Sequence, residues 1–147
     1  MQKIAFRYGL QMFAGFAGLF LVAHLLGLST QYHLRILNGI IHLSFIYLAV
    51  RSFRRRFPED VGNYLPGVAV GIYTSVVGVV LFCIAMGLFL TYDQSFFLEI
   101  QSKMPMPEYF TPFTASLFIF AEGIVVSLIG SYLIVRVLDA RSEGSHA

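Results

Sequence analysis

Four long apolar runs constrain this chain more than any other feature of its sequence. They cover residues 4–28, 34–53, 65–90 and 113–137, the second of which reaches this length only by continuing past Val50 to Phe53. A helix rises about 1.5 Å per residue and the hydrocarbon core of a bilayer is about 30 Å thick, so about 20 apolar residues cross it. We therefore predict four transmembrane helices in one integral membrane domain over residues 1–147.

The overall composition supports the same interpretation. Hydrophobic residues make up 57% of the chain and charged residues 12%, and the mean hydropathy is +0.75. Soluble domains are about 45–50% apolar and about 25% charged. The lone cysteine, Cys83, excludes an intrachain disulfide and a cysteine-rich metal site. The lipid bilayer is therefore the expected surrounding of the chain, and the small net charge of +2 gives no reason to expect a nucleic-acid partner.

The basic residues predict the orientation of the helices, because the cytoplasmic side of a membrane protein keeps the excess of Lys and Arg. Eight of the ten fall on one side of the four predicted helices: Lys3, Arg7, Arg51, Arg54, Arg55, Arg56, Arg136 and Arg141. Only Arg35 and Lys103 fall on the other side. We expect both termini in the cytoplasm. The loop with Arg51, Arg54, Arg55 and Arg56 is interpreted as a topology signal, or alternatively as a site for anionic lipid headgroups.

The connection between the third and fourth runs has a pattern of its own. Phe96, Phe97, Ile100 and Met104 recur at roughly helical spacing among polar residues, which predicts a short amphipathic helix over about 94–104 on the outer membrane surface. This helix could cap the bundle, gate an entrance or dock on a partner. The predicted fold is an all-α, up-down-up-down bundle of four transmembrane helices with this short outer helix between helices 3 and 4.

A polar seam is predicted within the membrane. Glu122 lies about 14 Å from the start of the last run and His42 about 12 Å from the start of the second, so the two side chains could meet. Arg35, Asn38 and His42 follow each other at i, i+3 and i+7 on one helix face. An intramembrane carboxylate must be protonated, paired or hydrated, so the seam is an interhelical clamp, a pathway for protons or cations, or a binding site for a small polar ligand.

His24 and His42 are the two histidines within the predicted helices that could serve as axial ligands of a haem. His24 lies about 6 Å from the outer end of the first predicted helix, and His42 lies about 6 Å deeper. Axial ligands of one haem need nearly matched depth, so a haem held by His24 and His42 is not expected. The sequence shows no metal-ligand cluster, no nucleophile with a base and no cofactor fingerprint, so we expect neither a cofactor nor an enzyme.

Small residues predict where helices approach each other closely, because helix association in lipid depends on backbone packing. They lie at helical spacing on the first, third and fourth predicted helices: Ala14, Gly18, Gly67, Gly71, Ser75, Gly78, Gly123 and Ser127. Such faces serve contacts within the bundle or between copies of the chain.

Three stretches resemble a bacterial family of small four-span membrane proteins known only as a domain of unknown function. They are Ile41-His-Leu-Ser-Phe-Ile-Tyr-Leu-Ala-Val-Arg-Ser-Phe-Arg, the glycine-rich segment 66–78, and Gly123-Ile-Val-Val-Ser-Leu-Ile-Gly-Ser. The resemblance runs from about Arg7 to Arg136 and implies the four-span layout in a bacterial inner membrane. The family tends to have a proline where this chain has Ala121, so no role for Glu122 follows from the resemblance.

Two functional hypotheses follow. The first is a non-catalytic membrane protein that self-associates or serves as an accessory subunit of a larger membrane complex, with Glu122 and His42 as a structural clamp. The second is a small transporter or channel in which Glu122 exchanges a proton or cation, with His42 and Asn38 as partners.

Overall fold

Five α-helices account for nearly all of the described chain. The computed structural model describes residues 1–28 and 33–144, with side chains as far as Arg141. The helices are α1 (Gln2–Leu25), α2 (His33–Arg56), α3 (Tyr64–Tyr92), α4 (Gln94–Ser102) and α5 (Pro112–Gly144). Short 3-10 turns at Pro58–Asp60 and Pro107–Tyr109 precede α3 and α5. Within the two described ranges there is no β-strand, so the predicted all-α class is confirmed.

The four long helices are each long and apolar enough to cross a membrane, as expected for a multi-pass membrane protein. Central among them is α3, which packs against α1, α2 and α5 and buries the largest share of its residues. The core between the helices is apolar. Met12 of α1, Ile46 of α2, Val70 of α3 and Val135 of α5 are fully buried in it.

The relative direction of α2 and α5 follows from three polar contacts. They are Arg35 with Glu122, His42 with Ser127, and Arg54 with Asp139. Residue numbers rise together along the two helices, so α2 and α5 run in the same direction. Between α2 and α3 the order is reversed, because His42 contacts Ser75 whereas Arg54 approaches Gly67.

The four long helices all end at positions that differ from the sequence-based expectation, α2 at Arg56 rather than 53 and α3 at Tyr92 rather than 90, and two of these differences have a clear cause. Helix α1 ends at Leu25 rather than near residue 28, because Gly27 adopts a φ of +69°, which stops a helix. At the other extreme, α5 continues to Gly144 rather than ending near Val137. Its last turns remain part of the bundle because Asp139 is buried against Arg54 of α2.

Candidate functional site

Polar side chains line the contact between α2 and α5 from one end of the bundle to the other. We call this set the α2/α5 seam, and it comprises Arg35, Asn38, His42 and Arg54 of α2 with Glu122, Ser127, Ser131 and Asp139 of α5. It contains all four residues of the predicted intramembrane seam. The structure adds four residues that the sequence interpretation had not assigned to it: Arg54, Ser127, Ser131 and Asp139.

Arg35 and Glu122 form an ion pair at the surface of the seam. Arg35 Nη2 donates to Glu122 Oε2 at 2.6 Å, and the two side chains are 58% and 52% exposed. The adjacent Gly123 packs against Val79, which lies 15 residues after the start of α3 and 13 before its end. At about 1.5 Å per residue, this places Glu122 about 20 Å from either end of α3. Glu122 therefore extends from near mid-height of α3, whereas Arg35 is the third residue of α2 and reaches the carboxylate from that end of the bundle.

His42 lies deeper, in the core of the bundle. Its Nε2 is 3.0 Å from Ser75 Oγ of α3 and 3.3 Å from Ser127 Oγ of α5, so one imidazole links three helices. The ring also makes an edge contact with Phe16 of α1. The expected contact of His42 with Glu122 is not formed, since Arg35, two helical turns earlier on α2, reaches the carboxylate instead.

Two further polar atoms of the seam are buried, one on α2 next to His42 and one on α5 next to Ser127. Asn38 Oδ1, one turn before His42 on α2, has no hydrogen-bond partner among the described residues. The same holds for Ser131 Oγ, one turn after Ser127 on α5. A buried polar atom without a partner is costly, so these two positions are the natural places for a water molecule within the seam.

Arg54 closes the seam at its other end, and this corrects the sequence-based assignment. Arg54 Nη2 donates to Asp139 Oδ2 at 2.8 Å and to the Asn63 carbonyl at 3.0 Å, and Nη1 donates to the Asp60 carbonyl. Its side chain is only 8% exposed and that of Asp139 2%. Arg54 is therefore unable to bind lipid headgroups, whereas Arg51, Arg55 and Arg56 are exposed.

A signal for the burial of Arg54 was present in the sequence. Ile46, Val50 and Phe53 are buried at i, i+4 and i+7 on α2, and Arg54 occupies i+8 on the same face. The periodicity thus places this guanidinium inside the bundle. It does not identify the acceptor, since Asp139 lies 85 residues further along the chain.

Small residues allow the close approach of the helices around the seam. A Cβ at Gly67 would lie 3.0 Å from the Arg54 guanidinium, and one at Gly71 would overlap Ser131. Gly78 and Gly123 likewise lie against Met12 and Val79, whereas Ser75 and Ser127 bind His42.

The small residues proposed for α1 behave differently. Ala14 and Gly18 are exposed, and a Cβ at Gly18 would meet nothing within 4 Å. The glycines of α1 that approach other helices are Gly9, against Val77, and Gly15, against Ile41. A role for Ala14 and Gly18 between copies of the chain stays a prediction.

His24 lies far from His42 along the bundle. Its ring packs among Phe20, Phe89 and Phe96, and its Nε2 is 3.8 Å from Asp93 Oδ2. Phe89 and Ser75, which contact His24 and His42 respectively, are 14 residues apart on α3, or about 21 Å. The two imidazoles are therefore not placed to bind one haem from opposite faces.

Asp93 is the N-cap residue of α4, and its carboxylate also lies near His24. Its carboxylate accepts hydrogen bonds from Ser95 Oγ at 2.7 Å and from the Phe96 amide at 3.1 Å, which caps the helix. The Ser95 and Phe96 hydrogen bonds, with the nearby His24, lower the pKa of Asp93 below its ordinary value. Because Phe96 and Phe97 are buried, the cap holds α4 against the end of the bundle.

A shallow apolar groove of about 520 Å³ lies outside the seam, between α3 and α5. Its lining includes two hydroxyl groups, but Thr91 donates to the Gly87 carbonyl and Ser116 to the Pro112 carbonyl. The groove thus presents no free hydroxyl donor to a polar ligand. Among the residues the structure describes, no three His, Cys, Asp or Glu side chains are grouped to hold a metal ion.

No protein-family model, no curated protein and no solved structure matches this chain. The geometry of the α2/α5 seam is therefore the basis of the functional proposal.

Proposed function

We propose that this chain is a non-catalytic integral protein of a bacterial inner membrane that associates with copies of itself or with other subunits of a membrane complex. One observation carries the proposal. Glu122 extends from near mid-height of α3 and is paired with Arg35 from the start of α2, yet more than half of each side chain is uncovered.

The cost of charge in hydrocarbon gives this observation its weight. A charged side chain near the bilayer centre costs about 2.5–3.5 kcal/mol on insertion scales, and intramembrane charges almost always face the interior of a bundle or a water-filled cavity. In an isolated chain, this ion pair would face lipid. A second protein surface over Arg35 and Glu122 removes that contact, so association stabilises the pair in the membrane.

The membrane layout that we propose is an up-down-up-down bundle with both termini in the cytoplasm and α4 on the outer surface. The parallel course of α2 and α5 supports it, because two spans separated by one other span point the same way. The distribution of Lys and Arg supports the orientation. Phe96 and Phe97 are buried whereas Gln94, Ser95 and Glu99 are exposed, which supports an amphipathic α4 lying along the membrane.

A second candidate function is a small proton- or cation-coupled transporter that uses Glu122 and His42. The buried Asn38 Oδ1 and Ser131 Oγ favour it, because water at these positions would extend a chain of polar groups on both sides of His42. Against it, the Glu122 carboxylate is bound by Arg35 and not by His42, so the two groups that this function requires are not in contact.

Reconstitution of the full-length chain in lipid vesicles tests both functions together. Single-molecule photobleaching over a series of lipid dilutions counts the copies in each particle, and an enclosed pH-sensitive dye reports proton flux. We expect more than one copy per particle and no flux above that of empty vesicles. Native mass measurement after extraction in a gentle detergent then distinguishes copies of this chain from other subunits.

Other results would contradict the proposal or favour one of the two alternatives. A chain that stays monomeric at every dilution, is extracted alone and supports pH-dependent flux contradicts the proposal. Transport through the seam is established if Glu122→Gln abolishes that flux while the helical content is retained. If Glu122→Gln instead lowers the thermal stability and neither form conducts, the polar residues serve as a clamp.

A further inference from the structure

We propose that two copies of this chain pair through the α2/α5 face, with Arg35 of each copy opposite Glu122 of the other. The inference rests on the proposed function and deepens it, because it names both the partner and the surface. The α2/α5 face is the side of the bundle on which Arg35 and Glu122 are uncovered.

The face around the two charges is apolar and open. Relative to Glu122 on α5, Phe118, Val125 and Ile129 lie at i−4, i+3 and i+7, and all three are more than half exposed. On α2, a Cβ at Gly39, one turn after Arg35, would meet nothing within 4 Å. The face therefore combines one positive charge, one negative charge and a surrounding surface suited to helix packing.

The charge pattern favours a second copy as the occupant. A face with one cation beside one anion is complementary to itself, since a two-fold rotation brings each Arg35 opposite a Glu122. The resulting ring of four charges alternates in sign, and all four leave the lipid together. A different protein would need its own charge pair at the same depth in the membrane.

A lipid headgroup fits this face less well. Headgroups lie about 15 Å from the centre of the hydrocarbon core, whereas Glu122 is near mid-height of α3. An acidic phosphate would also attract Arg35 while repelling Glu122, so it would match only half of the pattern. The α2/α5 face thus points to protein.

Two engineered cysteines distinguish this surface from others on the chain. Phe118→Cys reports on the α2/α5 face, and Leu21→Cys reports on the face of α1 that carries Ala14 and Gly18. Both positions are more than half exposed, and the native Cys83 is replaced by Ala in each chain. In lipid vesicles under mild oxidation, we expect disulfide-linked dimers from Phe118→Cys and few from Leu21→Cys.

Charge reversal separates pairing between copies from pairing within one chain. Each of Arg35→Glu and Glu122→Arg, placed in the Phe118→Cys background, destroys both kinds of pair when present alone. Mixed together, the two chains restore both pairs between copies, whereas like charges still face each other within each chain. We expect at least a ~10-fold loss of cross-linked dimer for each variant alone and recovery in the mixture.

Failure of the mixture to recover, with wild-type chains cross-linking, shows that the charges act only within the chain and overturns the inference. Equal cross-linking of single variants and wild type also overturns it. Cross-linking of Leu21→Cys alone moves the dimer interface to α1, so the proposed self-association survives while this surface is excluded. A monomer by photobleaching, with no cross-link at either position, overturns both.

The test does not depend on the reversed charges entering the membrane. If membrane fractions contain neither reversed chain, the neutral variants Arg35→Gln and Glu122→Gln replace them. Their mixture still restores one of the two pairs between copies, whereas each variant alone has none. The double variant Arg35→Glu/Glu122→Arg keeps all pairs with exchanged signs, so it is expected to dimerise as the wild type does.

Discussion

Two ion pairs join α2 to α5, and their environments are opposite. Arg54 and Asp139 meet at 2.8 Å with side chains 8% and 2% exposed, whereas Arg35 and Glu122 meet at 2.6 Å with side chains 58% and 52% exposed. The helices, the charge types and the distances are nearly the same. The two pairs differ in how far the rest of the bundle covers them.

The difference separates a structural role for Arg54 from the proposed role of Arg35 in association. Arg54 also donates to the carbonyls of Asp60 and Asn63, so its guanidinium fastens the turn before α3 as well as α5. Such a group stabilises the bundle from within. Among the described residues Arg35 has one acceptor, Glu122, and its surface is open, as expected of a group that acts when a second molecule covers it.

Replacing each of the two arginines by methionine is expected to give the largest difference in stability. Arg54→Met removes a buried guanidinium that faces the Asp139 carboxylate, so we expect the free energy of unfolding to fall by about 3–5 kcal/mol. Arg35→Met removes a pair open to solvent in detergent, so we expect a fall of at most about 1 kcal/mol. Reversible unfolding of the detergent-solubilised monomer measures both.

The exposed neighbour Arg55 provides a control for the loss of charge at this end of α2. Arg55→Met is expected to change the free energy of unfolding by no more than about 0.5 kcal/mol. Similar losses for Arg54→Met and Arg55→Met would mean that the buried pair contributes no more than surface charge, and the comparison would fail.

A pair of glycine substitutions tests whether α3 packs more tightly against the buried part of the seam than the exposed face of α1 packs against its surroundings. A Cβ at Gly71 would overlap Ser131 and approach Ile46 to 3.1 Å, so Gly71→Ala is expected to cost about 1–3 kcal/mol. Gly18→Ala fills open space on α1 and is expected to be neutral or slightly stabilising. The same unfolding measurement applies, and equal costs for the two variants would contradict the packing described for α3 and α5.

Two buried serines differ in the same way, since one has a described hydrogen-bond partner and the other does not. Ser75 and Ser131 are both fully buried, but only Ser75 has a hydrogen-bond partner, His42, among the described side chains. We expect Ser75→Ala to cost about 0.6–1.7 kcal/mol, whereas Ser131→Ala is expected to be near neutral. A larger cost for Ser131→Ala would mean that its hydroxyl has a partner, such as an ordered water, that matters more than His42.

Acid titration of α4 has the smallest expected effect. The pKa of Asp93 is lowered in the folded chain, so its ionised carboxylate stabilises α4 above the ordinary value of 3.8 and loses this effect as the pH falls through the folded-state pKa. Hydrogen-exchange protection of the amides of α4, corrected for intrinsic rates, is expected to be constant above about pH 5 and to fall as the pH is lowered through 3.8.

Two variants check the assignment of this acid response to Asp93. Asp93→Asn keeps an oxygen for the cap but cannot ionise, so its protection is expected to depend less on pH than that of the wild type. Glu99→Gln, which removes the exposed pair with Lys103, is expected to leave the response unchanged. A response that follows Glu99 instead would contradict the capping role of Asp93.

Periodic and compositional features of this protein were predictable from sequence. The four apolar runs predict membrane-spanning helices because length and hydropathy are local properties, and the described residues contain four helices long and apolar enough to cross a membrane. The polar residues of α2 and Glu122 were found in the same way. The partner of Glu122 could not be predicted, because a contact between Arg35 on α2 and Glu122 on α5 depends on how the two helices are shifted along each other.

The amino-acid sequence alone was enough to predict an all-helical chain with four helices apolar enough to cross a membrane, and to identify the residues that are too polar for lipid. Tertiary structure decided which of these residues meet: Glu122 binds Arg35, His42 binds Ser75 and Ser127, and Arg54 binds Asp139. Hydropathy is the sum of independent transfer free energies, so it can be read from one chain segment. A contact between helices depends on their shift and rotation against each other, and close packing around α3 sets both.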